Sequence, residues 1–417
     1  MLVNEKTWEY IRQHRQDDVR TLALRGAKDA EVDLTLALQQ IAGWQTARRK
    51  LPSWSAHEGI VYPPHLNMEQ CSSEQTARYK AAIAGHGRRM VDLTGGLGVD
   101  FYFIAQGFQD RCYVEQDAGL CNLAEANMRA LSFPCSVSCA DSVAYLATME
   151  KADLVYLDPA RRNEHGARTY GIEDCTPNVL ELLPLLAGKA SRILLKLSPM
   201  LDWHQAVAQI NHPLPNADRS PSWTVSEVHI VSVDNECKEL LLVLRPVGTE
   251  DLRLFCVNNG QVFQCPLEFA RGERLVCLGQ TPRLLGANDL LAPGTFLYEP
   301  HASIMKAGCF DALTARFAVT PIADNSHLFL SAGEIADFPG RRFQIQAISS
   351  MNRQELKQLF NESLMPLKSA NISVRNFPLS AEQLRKKLKL KDGGDTYIFA
   401  TTTQDGSHRL LICRKIS

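Results

Sequence analysis

Between Met90 and Arg245 the chain alternates short apolar runs with stretches whose apolar positions recur every three or four residues. The runs are MVDLT (90–94), CYVEQ (112–116), CSVSC (135–139), DLVYLD (153–158), RILLKL (192–197), EVHIVSV (227–233) and ELLLVLR (239–245). Helices are predicted between the first five, over Val99–Gln106, Leu120–Leu131, Ser142–Met149 and Pro177–Ala187. Strands separated by helices of about 10–15 residues predict βαβ units, and hence a parallel sheet covered on both faces. The last two runs have no helix between them and predict a hairpin at the sheet edge. This is an α/β, Rossmann-like pattern of seven mostly parallel strands.

The flanks have other periods. Residues 1–80 read as helical: Ala37, Ile41 and Trp44 fall at i, i+4 and i+7, in a segment that Asp33 can cap. Leu51–Asn67 is a proline-punctuated connector, after which Ser72 or Ser73 is placed to cap EQTARYKAAIAG. The Pro-rich stretch Asn211–Trp223 delays the sixth strand and reads as an insertion. Residues 250–335 mix short strands and turns, with the NNG of VNNGQVF marking a hairpin. Beyond them lie the strand RRFQIQAI, a helix near Asn352–Phe360, the strand ANISVRNF, a helix near Ala381–Leu388, and a closing pair, TYIFATT and RLLICRK. These shifts divide the chain into a helical region (1–80), a Rossmann-like domain (81–247) and two α+β domains (248–335 and 336–417).

Composition narrows the class. At 417 residues the chain can bury two or three cores. No run approaches the roughly eighteen apolar residues of a membrane span, and the first residues lack the apolar core of a signal peptide, so a cytoplasmic location is expected. The twelve cysteines are scattered without a CxxC, which predicts reduced, mostly buried thiols and no metal site. A net charge of −1 argues against general attraction to nucleic acid or anionic lipid, and leaves a local basic face open.

The chemistry concentrates after the first strand. In VDLTGGLGVD (Val91–Asp100), glycines at a strand-to-helix bend let the backbone approach a ligand more closely than any Cβ would allow. Asp92 ends that strand, Glu115 the second, Asp141 follows the third, and Asp158–Pro159 follow the fourth. Acids at four successive carboxyl ends line one crevice, where open α/β sheets bind ligands. Together DLTGGLG (92–98), VEQD (114–117), AD (140–141) and DPAR (158–161) resemble the class I S-adenosylmethionine-dependent methyltransferases. The resemblance implies S-adenosyl-L-methionine as cofactor. It assigns Gly95, Gly96 and Gly98 to the methionine end, Glu115 to the ribose and Asp141 to the adenine; Asp92, Thr94, Gln116 and Ser142 complete the candidate cofactor-binding set.

Asp158, Pro159 and Arg161 form the candidate catalytic set. DPAR resembles the (Asp/Asn)–Pro–Pro–X motif of methyltransferases that act on planar nitrogens, where the acid aligns the acceptor amine with the methyl group. It departs from that motif at Ala160 and at Arg161–Arg162, where a stacking aromatic is usual. The arginines can hold a phosphate or carboxylate, or pair with acids such as Glu164. A uracil-C5 mechanism needs a cysteine nucleophile near the end of strand five, and LLKLSPMLDW (194–203) has none. Lys196 lies near the crevice, and Ser73, Thr76 and Tyr79 are further candidates at the methionine end.

FLYEPHASIMKAG (296–308), NSHLF (325–329) and ANISVRNFPLSAEQLRKKLKLKDGG (370–394) resemble bacterial methyltransferases with a ferredoxin-like and a THUMP-like C-terminal region. THUMP domains are RNA-binding modules, so this resemblance implies RNA, tRNA or rRNA, as the partner. Arg375, Arg385, Lys386, Lys387 and Lys389 are the candidate phosphate contacts, with Leu384, Leu388 and Leu390 facing a core. Two alternatives remain at this point: methylation of a protein or anionic small molecule, and an inactive RNA-binding protein.

Overall fold

The structure is a computed structural model in which residues 3–161, 171–211, 223–248, 251–266, 286–357 and 367–416 are described. The chain forms two compact units, one of residues 1–228 and 239–252, the other of residues 229–238 and 253–417. Arg162, Glu164 and the body of the Pro-rich stretch lie outside the described residues.

The first unit opens with α1 (Glu5–His14), α2 (Val19–Arg25) and α3 (Leu34–Lys50). Asp33 caps α3 by accepting from Leu36 N, and Ala37 and Ile41 are fully buried. Helix α4 (Glu74–Ala84) is capped by Ser73, which settles the choice left open between Ser72 and Ser73. The buried side of α4 carries Thr76, Ala77 and Ala84, and also Lys80.

Seven strands follow: β1 (Gly87–Asp92), β2 (Phe108–Glu115), β3 (Ser136–Cys139), β4 (Leu154–Leu157), β5 (Ile193–Leu197), β6 (Trp223–Val233) and β7 (Glu236–Pro246). Their order is β3-β2-β1-β4-β5-β7-β6. Pairs β1–β2, β2–β3, β1–β4 and β4–β5 are parallel, and β7 runs antiparallel to β5. All four residues of β4 are buried, as expected of a strand covered on both faces. The crossover helices are α5 (Val99–Ile104), α6 (Ala118–Ala130), α7 (Ser142–Thr148), α8 (Val179–Leu186) and α9 (Trp203–Asn211). The sequence reading missed α9, whose apolar positions follow closely on the proline of Ser198–Pro199. Strand β6 begins at Trp223, four residues before the expected Glu227.

The second unit contains the hairpin β8 (Arg253–Asn258) and β9 (Gln261–Cys265), turning at Asn259 and Gly260, both with positive φ. Its seven-stranded sheet comprises β10 (Phe296–Pro300), β11 (Thr320–Pro321), β12 (Phe329–Ser331), β13 (Gly340–Ser349), β14 (Asn371–Arg375), β15 (Thr396–Thr402) and β16 (His408–Lys415). The order is β11-β12-β10-β13-β16-β15-β14. Helix α10 (Ala381–Leu388) begins in a capping box of Ser380 and Gln383, and packs Leu384 into a core with Leu390 and Ile398.

Candidate active site

The order of the first sheet reverses between β1 and β4, and at such a switch point the crossovers diverge and leave a crevice at the carboxyl ends. Asp92 ends β1 at that point, 1% exposed, with Oδ1 accepting from Thr94 N at 2.9 Å. Burial pushes its carboxyl well above the ordinary carboxylate range, and nearby Asp100 and Asp158 push the same way against the Thr94 amide. Thr94 Oγ1 in turn accepts from Asp158 N at 2.6 Å, tying the end of β1 to the end of β4.

The glycines are required by what surrounds them. A Cβ on Gly95 would lie 2.2 Å from the ring of Tyr113, whose hydroxyl donates to Gly96 O at 2.6 Å. Gly96 and Gly98 hold positive φ of 53° and 81°, and Gly98 opens α5. The bend delivers Gly96 N to Glu115 Oε2 at 2.9 Å, while Asp117 N reaches Oε1 at 2.9 Å. Each carboxylate oxygen of Glu115 is thus pinned by one backbone N–H and keeps lone-pair capacity. Asp141 caps α7: its Oδ1 accepts from Val143 N at 2.9 Å and Ala144 N at 3.1 Å.

A cavity of about 610 Å³ is lined by Asp92, Thr94, Gly95, Gly96, Gly98, Glu115, Gln116, Asp141, Ser142 and Asp158. Those ten sequence-derived positions therefore share one wall system. Pro159 is buried, and Arg161 pairs through its backbone with Cys175 in a two-residue ladder. Of the further candidates, Ser73 and Thr76 serve the helix start: Thr76 N donates to Ser73 Oγ, and Thr76 Oγ1 donates to Ser73 O. Asn67, Gln70, Cys71 and Ser72, from the same stretch ahead of the first strand as those candidates, supply another wall of the cavity.

Asp158 follows the carboxyl end of β4, its side chain 37% exposed, with Oδ2 accepting from Lys196 Nζ at 2.5 Å. Burial raises its pKa, and the Lys196 charge works against that rise. Behind this pair lies a cluster absent from the sequence reading. Lys80, wholly buried, places Nζ 2.6 Å from both oxygens of Glu239 and 3.1 Å from Asp100 Oδ1. Asp100 Oδ2 accepts from Ser72 Oγ at 2.7 Å and Tyr156 OH at 2.8 Å. Burial alone would raise the Asp100 pKa, but the Lys80 and Lys196 charges outweigh it and leave the carboxyl below its ordinary value.

Comparison with known proteins bears on this geometry. Residues 340–415 match the family model described as THUMP domain-like, and residues 296–339 match that of a ferredoxin-like domain. The chain also superposes on a crystal structure from Porphyromonas gingivalis W83, provisionally described as a methyltransferase, with TM-score 0.80 and 29% identity over 100% of both chains. This chain has the class I methyltransferase fold with a THUMP-like C-terminal domain. A Pyrococcus horikoshii protein provisionally described as an RNA methyltransferase matches over 49% of this chain and 98% of its own, at 11% identity and TM-score 0.34. A Streptococcus pneumoniae protein provisionally described as a tRNA (m1A22) methyltransferase, solved with S-adenosyl-L-methionine, matches over 42% and 74%, at 14% identity and TM-score 0.31. No curated protein matches the chain.

Within the THUMP-like segment the candidate cations separate. Arg375, on β14, donates to the buried Glu299 at 2.7 Å, and Arg341 binds the other oxygen of that carboxylate at 2.6 Å. Arg385 pairs with Asp392 at 2.6 Å and Lys386 with Glu382 at 3.1 Å. Arg385, Lys386 and Lys387 occupy the last turn of α10, and Lys389 caps it in the left-handed region. Among the described residues no helix is long and apolar enough to cross a membrane, and no group of three or more His, Cys, Asp or Glu could hold a metal ion.

Proposed function

We propose that the chain is an S-adenosylmethionine-dependent methyltransferase that modifies a base nitrogen of structured RNA, tRNA or rRNA. The observation that carries this reading is the pinned Glu115 carboxylate beside the Gly95–Gly98 bend, with Asp158 lining the same cavity. S-adenosylmethionine would supply an electrophilic methyl group on a sulfonium. Gly96 leaves backbone bare at the methionine end, where only Thr94 O lies within 4 Å of a Cβ placed on it. Glu115 keeps one lone pair per oxygen for two ribose hydroxyls, and the second oxygen of Asp141 is left for an adenine amine.

The chain's own part in methyl transfer is positioning. Asp158, anchored through its backbone to Thr94, accepts a hydrogen bond from the acceptor N–H and orients the lone pair toward the methyl group. Such an amine sheds its proton readily after attack, so no strong base is required. Replacing Glu115 with Ala removes two ribose contacts and unpins the glycine loop. S-adenosylhomocysteine affinity should fall roughly a hundredfold or more, two hydrogen bonds to a charged acceptor contributing about 1.5–3 kcal/mol each. Calorimetry reads this directly, and unchanged affinity would show that the ribose lies elsewhere.

The RNA part rests on the THUMP-like segment at 340–415 and on the cations of α10. Labelled methyl transfer into total RNA from a strain lacking the gene, followed by nucleoside mass spectrometry, tests it. One methylated base, labelled by the intact chain and not by Asp158→Ala, is expected. Binding of that RNA should weaken steeply with salt, and weaken again when Lys386 and Lys387 are both made Glu. Label in protein or a small acid, with none in RNA, would move the reading to those substrates.

A further inference from the structure

The charges behind Asp158 are more than stability requires. Two lysines, Lys80 and Lys196, face Asp100, Glu239 and Asp158 in a region where side-chain exposure is 0% for Lys80, 4% for Glu239, 10% for Asp100 and 13% for Lys196. Each buried ion costs several kcal/mol of desolvation, and well-packed apolar residues would fill the same volume at least as stably. Such a frame has a use where it controls a group that meets a substrate. It ends at the cavity on Asp158, through Lys196, which lies 2.5 Å from Asp158 Oδ2 and 3.7 Å from Asp100 Oδ2.

Resting on the methyl-transfer reading of this cavity, we infer that Lys196 is a positioning residue for Asp158. Its ammonium, seated between Asp158 and the Asp100–Lys80–Glu239 frame, fixes the carboxylate's orientation and keeps it charged. Asp158 therefore meets the acceptor nitrogen as a hydrogen-bond acceptor.

The direction follows from what surrounds Asp158. Asp92 at the end of β1 and Asp100 on α5 place negative charge near it, and Tyr156 lies on its own strand. Thr176, Asn178 and Glu181 line the same cavity. Burial and these acids favour the protonated carboxyl, which would present a donor to an amine that needs an acceptor. Among the described residues Lys196 is the nearest opposing charge, and Lys80 adds to it from further off. Lys196 itself stays protonated: burial lowers its pKa, but Asp158, Asp100 and Glu239 raise it by more.

The test needs no RNA. Sinefungin carries an amine where S-adenosylmethionine carries the sulfonium methyl, so its preference over S-adenosylhomocysteine reports negative charge at the transfer position. Both compounds would be titrated calorimetrically into the full chain and into Lys196→Met, Lys196→Arg and Asp158→Asn, from about pH 6 to about pH 8.5. Wild type should prefer sinefungin on the order of tenfold near neutrality, and Asp158→Asn should lose that preference at every pH. Lys196→Met should lose it at the acid end and regain it toward the alkaline end, while Lys196→Arg keeps the wild-type profile.

A merely structural lysine would give a different pattern. Deleting a cation that only repels sinefungin raises the preference at all pH values, and that result, or an unmoved profile, overturns the inference. Melting curves and S-adenosylhomocysteine affinity establish that each variant is folded; Lys196→Gln replaces Lys196→Met if the latter is not. Wild type that binds neither compound would instead refute the cofactor reading itself.

Discussion

Lys80→Met should unfold far more easily than wild type, with a loss of about 3–5 kcal/mol, the usual result of leaving a buried ion without its partner. Methionine keeps the apolar stem of the side chain, so lost packing contributes little. What remains is Glu239, 3% exposed, and Asp100, 8% exposed, facing each other across Ser72 without the ammonium that joined them. The loss should depend on pH. In the variant the stranded carboxyls have folded-state pKa values raised above the unfolded ones, so the folded state takes up protons and the penalty shrinks as pH falls. In wild type the Asp100 pKa is lowered, so its contribution is present above the ordinary carboxylate value and is lost as pH falls from there through the lowered folded-state value. The gap between the two proteins should therefore close from both sides on acidification. Adding Glu239→Gln to Lys80→Met should recover part of the loss, because both partners of the pair are then neutral. Urea denaturation at a series of pH values reads all of this, and a Lys80→Met protein as stable as wild type would mean that the ion cluster does not persist in solution.

Asp158→Ala should lower methyl transfer roughly a hundredfold or more, since misplacing an acceptor by about an ångström can cost that much. S-adenosylhomocysteine affinity should stay close to wild type, because Asp158 is tied directly to the glycine bend through its backbone N–H to Thr94, which alanine retains. That split separates an acceptor-aligning group from a cofactor ligand. Single-turnover transfer into whichever RNA takes the label in wild-type reactions, with calorimetry on the same preparations, gives both numbers. A mutant with normal turnover would remove Asp158 from the reaction.

The sheet was legible because parallel strands buried on both faces read as apolar runs, and the LVYL of DLVYLD became a strand with every residue buried. The cavity wall was legible too, because its parts recur at fixed places in the fold: a glycine bend after β1 and acids at successive carboxyl ends. The ion cluster was not, because its pairs join positions far apart in the chain, Lys80 with Glu239 and Lys196 with Asp100. Sequence spacing carries no sign of such pairs. A weaker signal did exist. Lys80 stands three residues from Ala77 and four from Ala84 on the buried face of α4, and Glu239 heads the buried run of its strand, followed by five apolar residues. A charge on a core-facing position asks for a partner. Helix α9 was missed for a local reason: it follows a proline turn and ends against the Pro-rich stretch, which drew the whole interval toward a loop reading.

The most direct measurement is a calorimetric titration of S-adenosylhomocysteine into the intact wild-type chain. Saturable one-to-one binding, weakened in Glu115→Ala and preserved in Asp158→Ala, is the predicted result. A wild-type chain that is folded and takes up no S-adenosylhomocysteine would contradict the methyltransferase reading, whatever else the cavity binds.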